Sequence, residues 1–476
     1  MFNALDFKGR KALIIGAGKS GIACANLLFS KGFDVFLTEN KHEEKVKNRL
    51  AQLSAGISYE TGGHTDAVLQ CGFAVKCPGL PHDCPILAKL AENNIPVFSE
   101  TEIGLSFIEN PLFFAITGTN GKTTTTMLLG SIMARYAASA GLDSFTAGNI
   151  GTPVSSAAMR FSKDVILTAE LSSYQLEDST FIAPHIAAIL NITPDHLEHH
   201  GSMDAYIEAK KRIFKFQKAE DFCVLNYEDG YCRKIAGDVP GKLLWFSSDT
   251  SADIGGKANA FIRDGKLAFR ICGREILLTP PDIPGIHNME NAMAAGLVAI
   301  AAGVPDKIIQ QAFEEFRPVE HRIEPAGTLC GIRFINDSKA TNVDSVLVAL
   351  KAMPEGKKTW LILGGRDKGA PYSPLIPLIR EKAKGLMLIG EAADRIYSEL
   401  GDCARCYKTG NVFDSCLKIL ELGREGDIAL FSPACSSFDQ FADFEDRGRK
   451  FKEFLKGLDV RPYQKYKPEI CKGDAK

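Results

Sequence analysis

Short apolar runs bounded by polar turns alternate with stretches of helical period along nearly the whole chain. The run over 11–15 leads into a glycine-rich bend, a helical stretch to about residue 28 and a second run over 34–37, and the rhythm continues to 96–98. Strand, crossover helix, strand predicts a parallel sheet covered by helices. The pattern restarts after Glu109-Asn110-Pro111, with a strand over 113–116, a helix over 123–134 and strands over 165–168 and 186–190. Shorter β-rich segments fill 221–278, ahead of a helix over 288–302. Phe316-Arg317-Pro318 opens a third block, with strands over 333–335, 360–363, 386–389 and 427–431. A chain of 476 residues exceeds one ordinary core. The expectation is an α/β protein of three domains, 1–100, 101–317 and 318–476.

Composition narrows the partners more than the fold. Hydrophobic residues make up 45% and charged residues 24%, as in ordinary globular proteins. With 56 basic against 58 acidic residues there is no field to grip a nucleic acid or an anionic membrane. The N-terminal stretch lacks the apolar core of a signal peptide, and the apolar run over 294–302 is far below the roughly 18 residues of a membrane span. A cytoplasmic location is expected. Thirteen scattered cysteines, with one CxxC at Cys403 and Cys406, read as free thiols rather than a zinc site.

The densest chemical signal is Thr117-Gly118-Thr119-Asn120-Gly121-Lys122-Thr123-Thr124, placed between a strand and a helix. Glycines let backbone N–H groups close around phosphate oxygens, and the helix N-terminus adds partial positive charge. Lys122 then reaches the β/γ-phosphates of ATP and Thr123 offers its hydroxyl to Mg²⁺. The first glycine stands at Gly118 rather than at position 116, one departure from the general phosphate-loop pattern. Glu170 ends the apolar strand over 164–170, where a parallel sheet places a metal-binding carboxylate.

A helix capped by Ser202 and running to about residue 215 carries Met203, Tyr206, Ile207, Ile213 and Phe214 as one stripe, with Lys210 in its middle. Such a lysine either lifts its ammonium to solvent along an apolar stem or is held inward and needs a partner or a modification. His196, His199 and His200 lack the spacing of a helical zinc site. Gly16-x-Gly18-x-x-Gly21 with Glu39 downstream matches a dinucleotide fingerprint. It indicates a diphosphate at a helix N-terminus without choosing the base, so NAD and a UDP-sugar both remain open. Phe438, Phe441 and Phe444 at i, i+3, i+6 read as helix core.

Taken in order, Gly118 to Thr124, Gly148-Asn149-Ile150-Gly151, Glu170 to Gln175, Asp195-His196, Lys210 and His287-Asn288-Met289-Glu290-Asn291 resemble the Mur ligase family. The likeness spans essentially the whole chain. Asn336 to Asn342, Gly364 to Lys368 and Ser432 to Phe441 resemble the branch that adds D-glutamate. The resemblance implies Rossmann-like first and third domains around a P-loop ATPase-like centre. It implies a monomeric ligase joining D-glutamate to UDP-N-acetylmuramoyl-L-alanine with ATP and two Mg²⁺ ions. The implied roles are Lys122, Thr123 and Glu170 at phosphate and first metal, His196 at the second metal, and a carbamate on Lys210. Asn288 and Asn291 would contact adenine, with Arg322 and Asp337 at phosphate and ribose. Asn149 and Ser172 would meet the UDP-linked substrate, whose uridine diphosphate falls to Lys19, Ser20, Glu39 and Gly79. The D-glutamate pocket would comprise Lys339, Thr341, Lys368, Ser437 and Phe444. Glu39 stands where family members more often carry Asp.

Overall fold

The computed structural model describes residues 4–7, 9–78, 80, 84–249, 258–271, 273–283, 285–317 and 320–464. They form two compact units, Met1–Ile192 with His199–Arg317 and Thr193–Glu198 with Pro318–Lys476. The first unit holds two sheets and the second holds one.

The first sheet contains β1 (Ala12–Ile15), β2 (Val35–Glu39), β3 (Ser58–Thr61), β4 (Phe73–Lys76) and β5 (Val97–Ser99). All are parallel, in the order β3-β2-β1-β4-β5. Every residue of β1 is buried because successive side chains enter opposite faces. Ala12 and Ile14 join one apolar cluster, Leu13 and Ile15 another.

The central sheet has nine strands. In chain order these are β6 (Leu112–Thr117), β7 (Asp143–Gly148), β8 (Val165–Glu170), β9 (Ile186–Ile189), β10 (Phe222–Asn226), β11 (Lys242–Ser247), β12 (Ala260–Arg263), β13 (Lys266–Ile271) and β14 (Arg274–Leu278). Their spatial order is β14-β13-β12-β11-β10-β9-β6-β8-β7. The β-rich segment continues the parallel sheet through β12, and only β13 and β14 turn antiparallel. β6 lies between β8 and β9, so the loop leaving it opens beside the ends of both.

The second unit orders β15 (Glu324–Leu329), β16 (Ile332–Asn336), β17 (Thr359–Gly364), β18 (Ala383–Ile389), β19 (Cys406–Gly410) and β20 (Ile428–Phe431) as β15-β16-β20-β17-β18-β19. Only the β15–β16 pair is antiparallel.

Some expectations are corrected. The helix capped by Ser202 ends at Lys211, not near residue 215, because Ile213 and Phe214 close tight turns on the carbonyls of Lys210 and Lys211. Both remain buried. Phe438 and Phe441 are not helix core: the helix Phe444–Gly457 begins after its Asp443 cap, and Phe438 is 61% exposed. Cys403 and Cys406 are free thiols. Among the described residues no helix is long and apolar enough to cross a membrane.

Candidate functional site

The loop after β6 turns on Gly121, whose φ of +83° precedes the helix Lys122–Ala140. A Cβ there would lie 2.3 Å from Asn291 Oδ1, so conformation and space both require glycine. The Lys122 ammonium folds back on the loop and donates to the carbonyls of Gly118 and Thr119 at 2.9 and 2.7 Å. Thr123 donates to Glu170 Oε2 at 2.8 Å, and Asn149 Nδ2 donates to Glu170 Oε1 at 2.8 Å. Glu170 is 1% exposed. The Thr124 hydroxyl oxygen is buried without a hydrogen-bond partner. The Thr123 hydroxyl and the buried Glu170 carboxylate together form a hard-oxygen donor pair of the kind Mg²⁺ takes.

Lys210 is held inward. Its side chain is buried, its Nζ donates to the Gly118 carbonyl at 2.9 Å and lies 4.6 Å from the centre of the Tyr206 ring. Tyr206 Oη in turn meets Thr119 Oγ1 at 3.0 Å. On the helix Ile286–Ala301, Asn291 accepts from Thr125 Oγ1 at 3.2 Å and donates to Asn288 Oδ1 at 3.2 Å. Lys122, Thr123, Asn149, Glu170, Lys210, Asn288 and Asn291 thus surround one loop. Ser172 caps the helix Ser173–Glu177 in a reciprocal box with Gln175, which accounts for its hydroxyl locally. His199 and His200 both meet Glu177, at 2.6 and 3.1 Å.

At the end of the first sheet, Lys19 and Ser20 open the helix Lys19–Ser30. The Glu39 carboxylate accepts the N–H groups of Ala17 at 2.8 Å and Lys41 at 3.0 Å, tying it to the glycine-rich bend. Gly79 lies outside the described residues.

In the second unit, His196 adopts φ +56°, a conformation that non-glycine residues rarely hold outside functional turns. Its neighbour Asp195 accepts from Asn342 Nδ2 at 3.0 Å and lies 3.5 Å from the Lys368 ammonium. Asp195, His196, Asn342, Asp367, Lys368 and Tyr372 line a cavity of about 360 Å³. Lys339 Nζ sits 5.0 Å over the Phe444 ring, and Ser437 is buried in the turn after β20. Thr341 is half-buried, and its N–H donates to the Lys339 carbonyl at 2.9 Å. Asp337 accepts from Ile323 N at 3.1 Å and Ser432 Oγ at 2.6 Å, while the Arg322 Nε is buried without a partner.

Comparison with known proteins matches residues 10–99 to the Mur ligase MurD-like N-terminal domain, 116–299 to the Mur ligase middle domain and 321–435 to the Mur ligase glutamate ligase domain. A UDP-N-acetylmuramoylalanine--D-glutamate ligase of Elusimicrobium minutum is 47% identical over 96% of this chain and 100% of its own length. The chain belongs to the Mur ligase family. A relative of the same name from Koribacter versatilis is 40% identical over 95% of this chain and 99% of its own length. Among solved structures, UDP-N-acetylmuramate-alanine ligase MurC of Thermotoga maritima shares the fold with a TM-score of 0.60 at 20% identity, covering 94% of this chain and 99% of that one.

Sequence reasoning passed over two residues of this Mur ligase. Asn191 contacts the phosphate loop from the exit of β9. Arg447, 1% exposed, donates to the Ser338 hydroxyl and carbonyl and to the Cys435 carbonyl, joining the turns that carry Asp337, Lys339 and Ser437.

Asp337 makes this Mur ligase's stability depend on pH. Burial pushes its carboxyl from an ordinary value near 3.8 up to about 6, against the opposing pull of Arg322 and the Ser432 hydrogen bond. Between those values the folded state binds more protons than the unfolded one, so stability falls as pH rises, by up to about 3 kcal/mol in all. Below about pH 4 the penalty is absent, and above about pH 6 it is constant. In a Trp245→Phe background, denaturation followed by Trp360 fluorescence should show this fall for Asp337 and not for Asp337→Asn. Parallel stability curves from pH 4 to 7 for the two proteins would remove the argument.

Proposed function

We propose that this Mur ligase joins D-glutamate to UDP-N-acetylmuramoyl-L-alanine at the expense of ATP. The single observation that carries the proposal is the phosphate loop with Thr123 and Glu170 hydrogen-bonded at its helix N-terminus. The relatives' common name supplies the substrates.

A carboxylate is a poor acyl donor because its leaving group would be oxide. In the proposed first step an alanyl carboxylate oxygen attacks the γ-phosphorus, the bond to the β-phosphate oxygen breaks, and ADP leaves. The acyl phosphate then presents an activated carbonyl. The D-glutamate amine adds to it, loses a proton, and the tetrahedral intermediate collapses with departure of inorganic phosphate. Lys122 and the loop N–H groups neutralise charge gathering on the phosphates. Thr123 and Glu170 would hold Mg²⁺, which offsets phosphate charge when bound. On the strength of the family motif, His196 is assigned to a second ion, and Lys210 is assigned a carbamate able to bind metal. Lys368 and Lys339 would pair the carboxylates of D-glutamate, with Thr341, Ser437 and Phe444 shaping its pocket.

Residues 1–100 are assigned to the uridine diphosphate, 101–317 to ATP and 318–476 to both ATP and D-glutamate. Asn288 and Asn291 are assigned to adenine, Arg322 and Asp337 to the phosphate and ribose, and Asn149 to the UDP-linked substrate. Lys19, Ser20 and Glu39 would hold its diphosphate end. These substrates place the reaction in the cytoplasm, and a monomer suffices for it.

Phosphate release from ATP should require UDP-N-acetylmuramoyl-L-alanine together with D-glutamate, with L-glutamate at least 100-fold poorer, a ratio of the size that buried polar pockets impose on mismatched groups. Equal stimulation by both enantiomers would reject the substrate assignment. Turnover indifferent to any amino acid would reject the ligase reading itself.

A further inference from the structure

We propose that Asn191 is a positioning residue that holds the phosphate loop open for the β-phosphate of the nucleotide. The proposal rests on the reading of residues 118–124 as an ATP site.

Asn191 stands two residues beyond β9, just after Leu190 extends the ladder by donating to the Thr117 carbonyl. The chain leaves the sheet here, and both the backbone and the side chain of Asn191 turn to the loop. Its carbonyl accepts the Thr119 N–H at 2.9 Å. Its carboxamide Oδ1 accepts the Asn120 N–H at 2.8 Å, and Nδ2 donates to the Asn120 carbonyl at 3.1 Å. One side chain therefore satisfies both backbone groups of one loop residue, as a neighbouring strand would.

The consequence is a sorting of the loop's N–H groups. Those of Thr119 and Asn120 are directed to the strand exit. The opening N–H groups of the helix Lys122–Ala140 have no intrahelical acceptor, and these are the donors a phosphate meets. Gly118 and Gly121 flank the pinned pair with left-handed backbone, freedom that would otherwise let the segment collapse. The Gly118 and Thr119 carbonyls, which receive Lys122 and Lys210, are aimed by the same restraint.

The pairing demands a donor and an acceptor on one short side chain. Aspartate matches asparagine in size but would face the Asn120 carbonyl with an oxygen instead of a donor. Asn191→Asp and Asn191→Ala should therefore both weaken ADP binding, about tenfold, the loss of a bidentate hydrogen-bonded pair. AMP lacks the β-phosphate and should bind both variants as it binds the parent. In turnover, KM for ATP should rise while KM for D-glutamate stays unchanged.

The test is equilibrium binding of ADP and AMP to the full chain and to both variants, with thermal melts alongside. Parent protein that holds ADP no tighter than AMP overturns the phosphate-site reading, and the proposal with it. With that preference present, ADP affinity left intact in Asn191→Asp overturns the positioning role alone. Equal losses for ADP and AMP, or a variant that does not fold, assign Asn191 to the architecture of the domain and overturn it as well.

Discussion

Lys210→Ala is expected to lower D-glutamate-dependent phosphate release about a thousandfold, the scale seen when one preorganised charge-stabilising group is lost. The side chain is 1% exposed, and its amine meets a carbonyl oxygen at 2.9 Å and an aromatic face at 4.6 Å. A buried ammonium costs several kcal/mol unless its charge is compensated, and the carbonyl and the ring are among the groups that hold this one. The modification proposed for this amine is a carbamate. The neutral amine bonds to the carbon of CO₂, a proton leaves, and an anion with two oxygens replaces the cation beside the loop. Acetate or propionate should then partly restore Lys210→Ala, because deletion opens room where the modified chain ended. Lys210→Met, which fills that room without charge, should be equally inactive, melt like the parent and resist rescue. Near-normal turnover by Lys210→Ala without added carboxylate would sink the carbamate, as would equal rescue of both variants.

How much of this was legible beforehand depended on how far each element relies on its own segment. β1 and β20 are buried throughout and stand out as unbroken apolar runs, and β6 and β8 stand out nearly as well, with only Leu112 of β6 half-buried and polar residues confined to the last part of each. β7, β15 and β19 do not, because each is a sheet edge with only part of its length covered, and solvent-facing positions erase the run. Lys210 was singled out by its place in the middle of an apolar stripe, but spacing left open whether its ammonium turned to solvent or inward, and only its burial against the Gly118 carbonyl decides this. Asn191 was not, since asparagine after a strand reads as ordinary turn chemistry until the loop it pins is placed beside it. Arg447 lies in a helix crowded with charge, where a solvent-facing role is the natural reading, and only the two turns converging on it account for its burial. The phenylalanine spacing at 438, 441 and 444 misled because Asp443 accepts the Asp446 N–H and starts the helix later than the period suggests. The raised carboxyl of Asp337 is likewise a property of burial, which no local pattern announces.

Glu170→Gln carries the second large effect, a fall in turnover of about 10²- to 10³-fold with a Mg²⁺ requirement raised at least tenfold, since it removes a charge aimed at developing phosphate chemistry. Thr123 donates its proton to one oxygen of Glu170, leaving its own lone pairs for a cation, and Asn149 donates to the other oxygen. A neutral carboxamide of the same size accepts only one of these donors and turns an N–H₂ toward the second. The backbone leaves it no room to adjust. Asn149 N–H donates to the Glu170 carbonyl at 2.8 Å, and a Cβ on Gly148 would lie 2.1 Å from the same oxygen. The substitution thus removes charge at a fixed point, and the variant should melt within a few degrees of the parent while losing activity. Turnover titrated with Mg²⁺ at saturating ATP separates the possibilities. A half-activating concentration identical in both proteins, whatever the rate, would show that Glu170 shapes the loop and does not hold the ion.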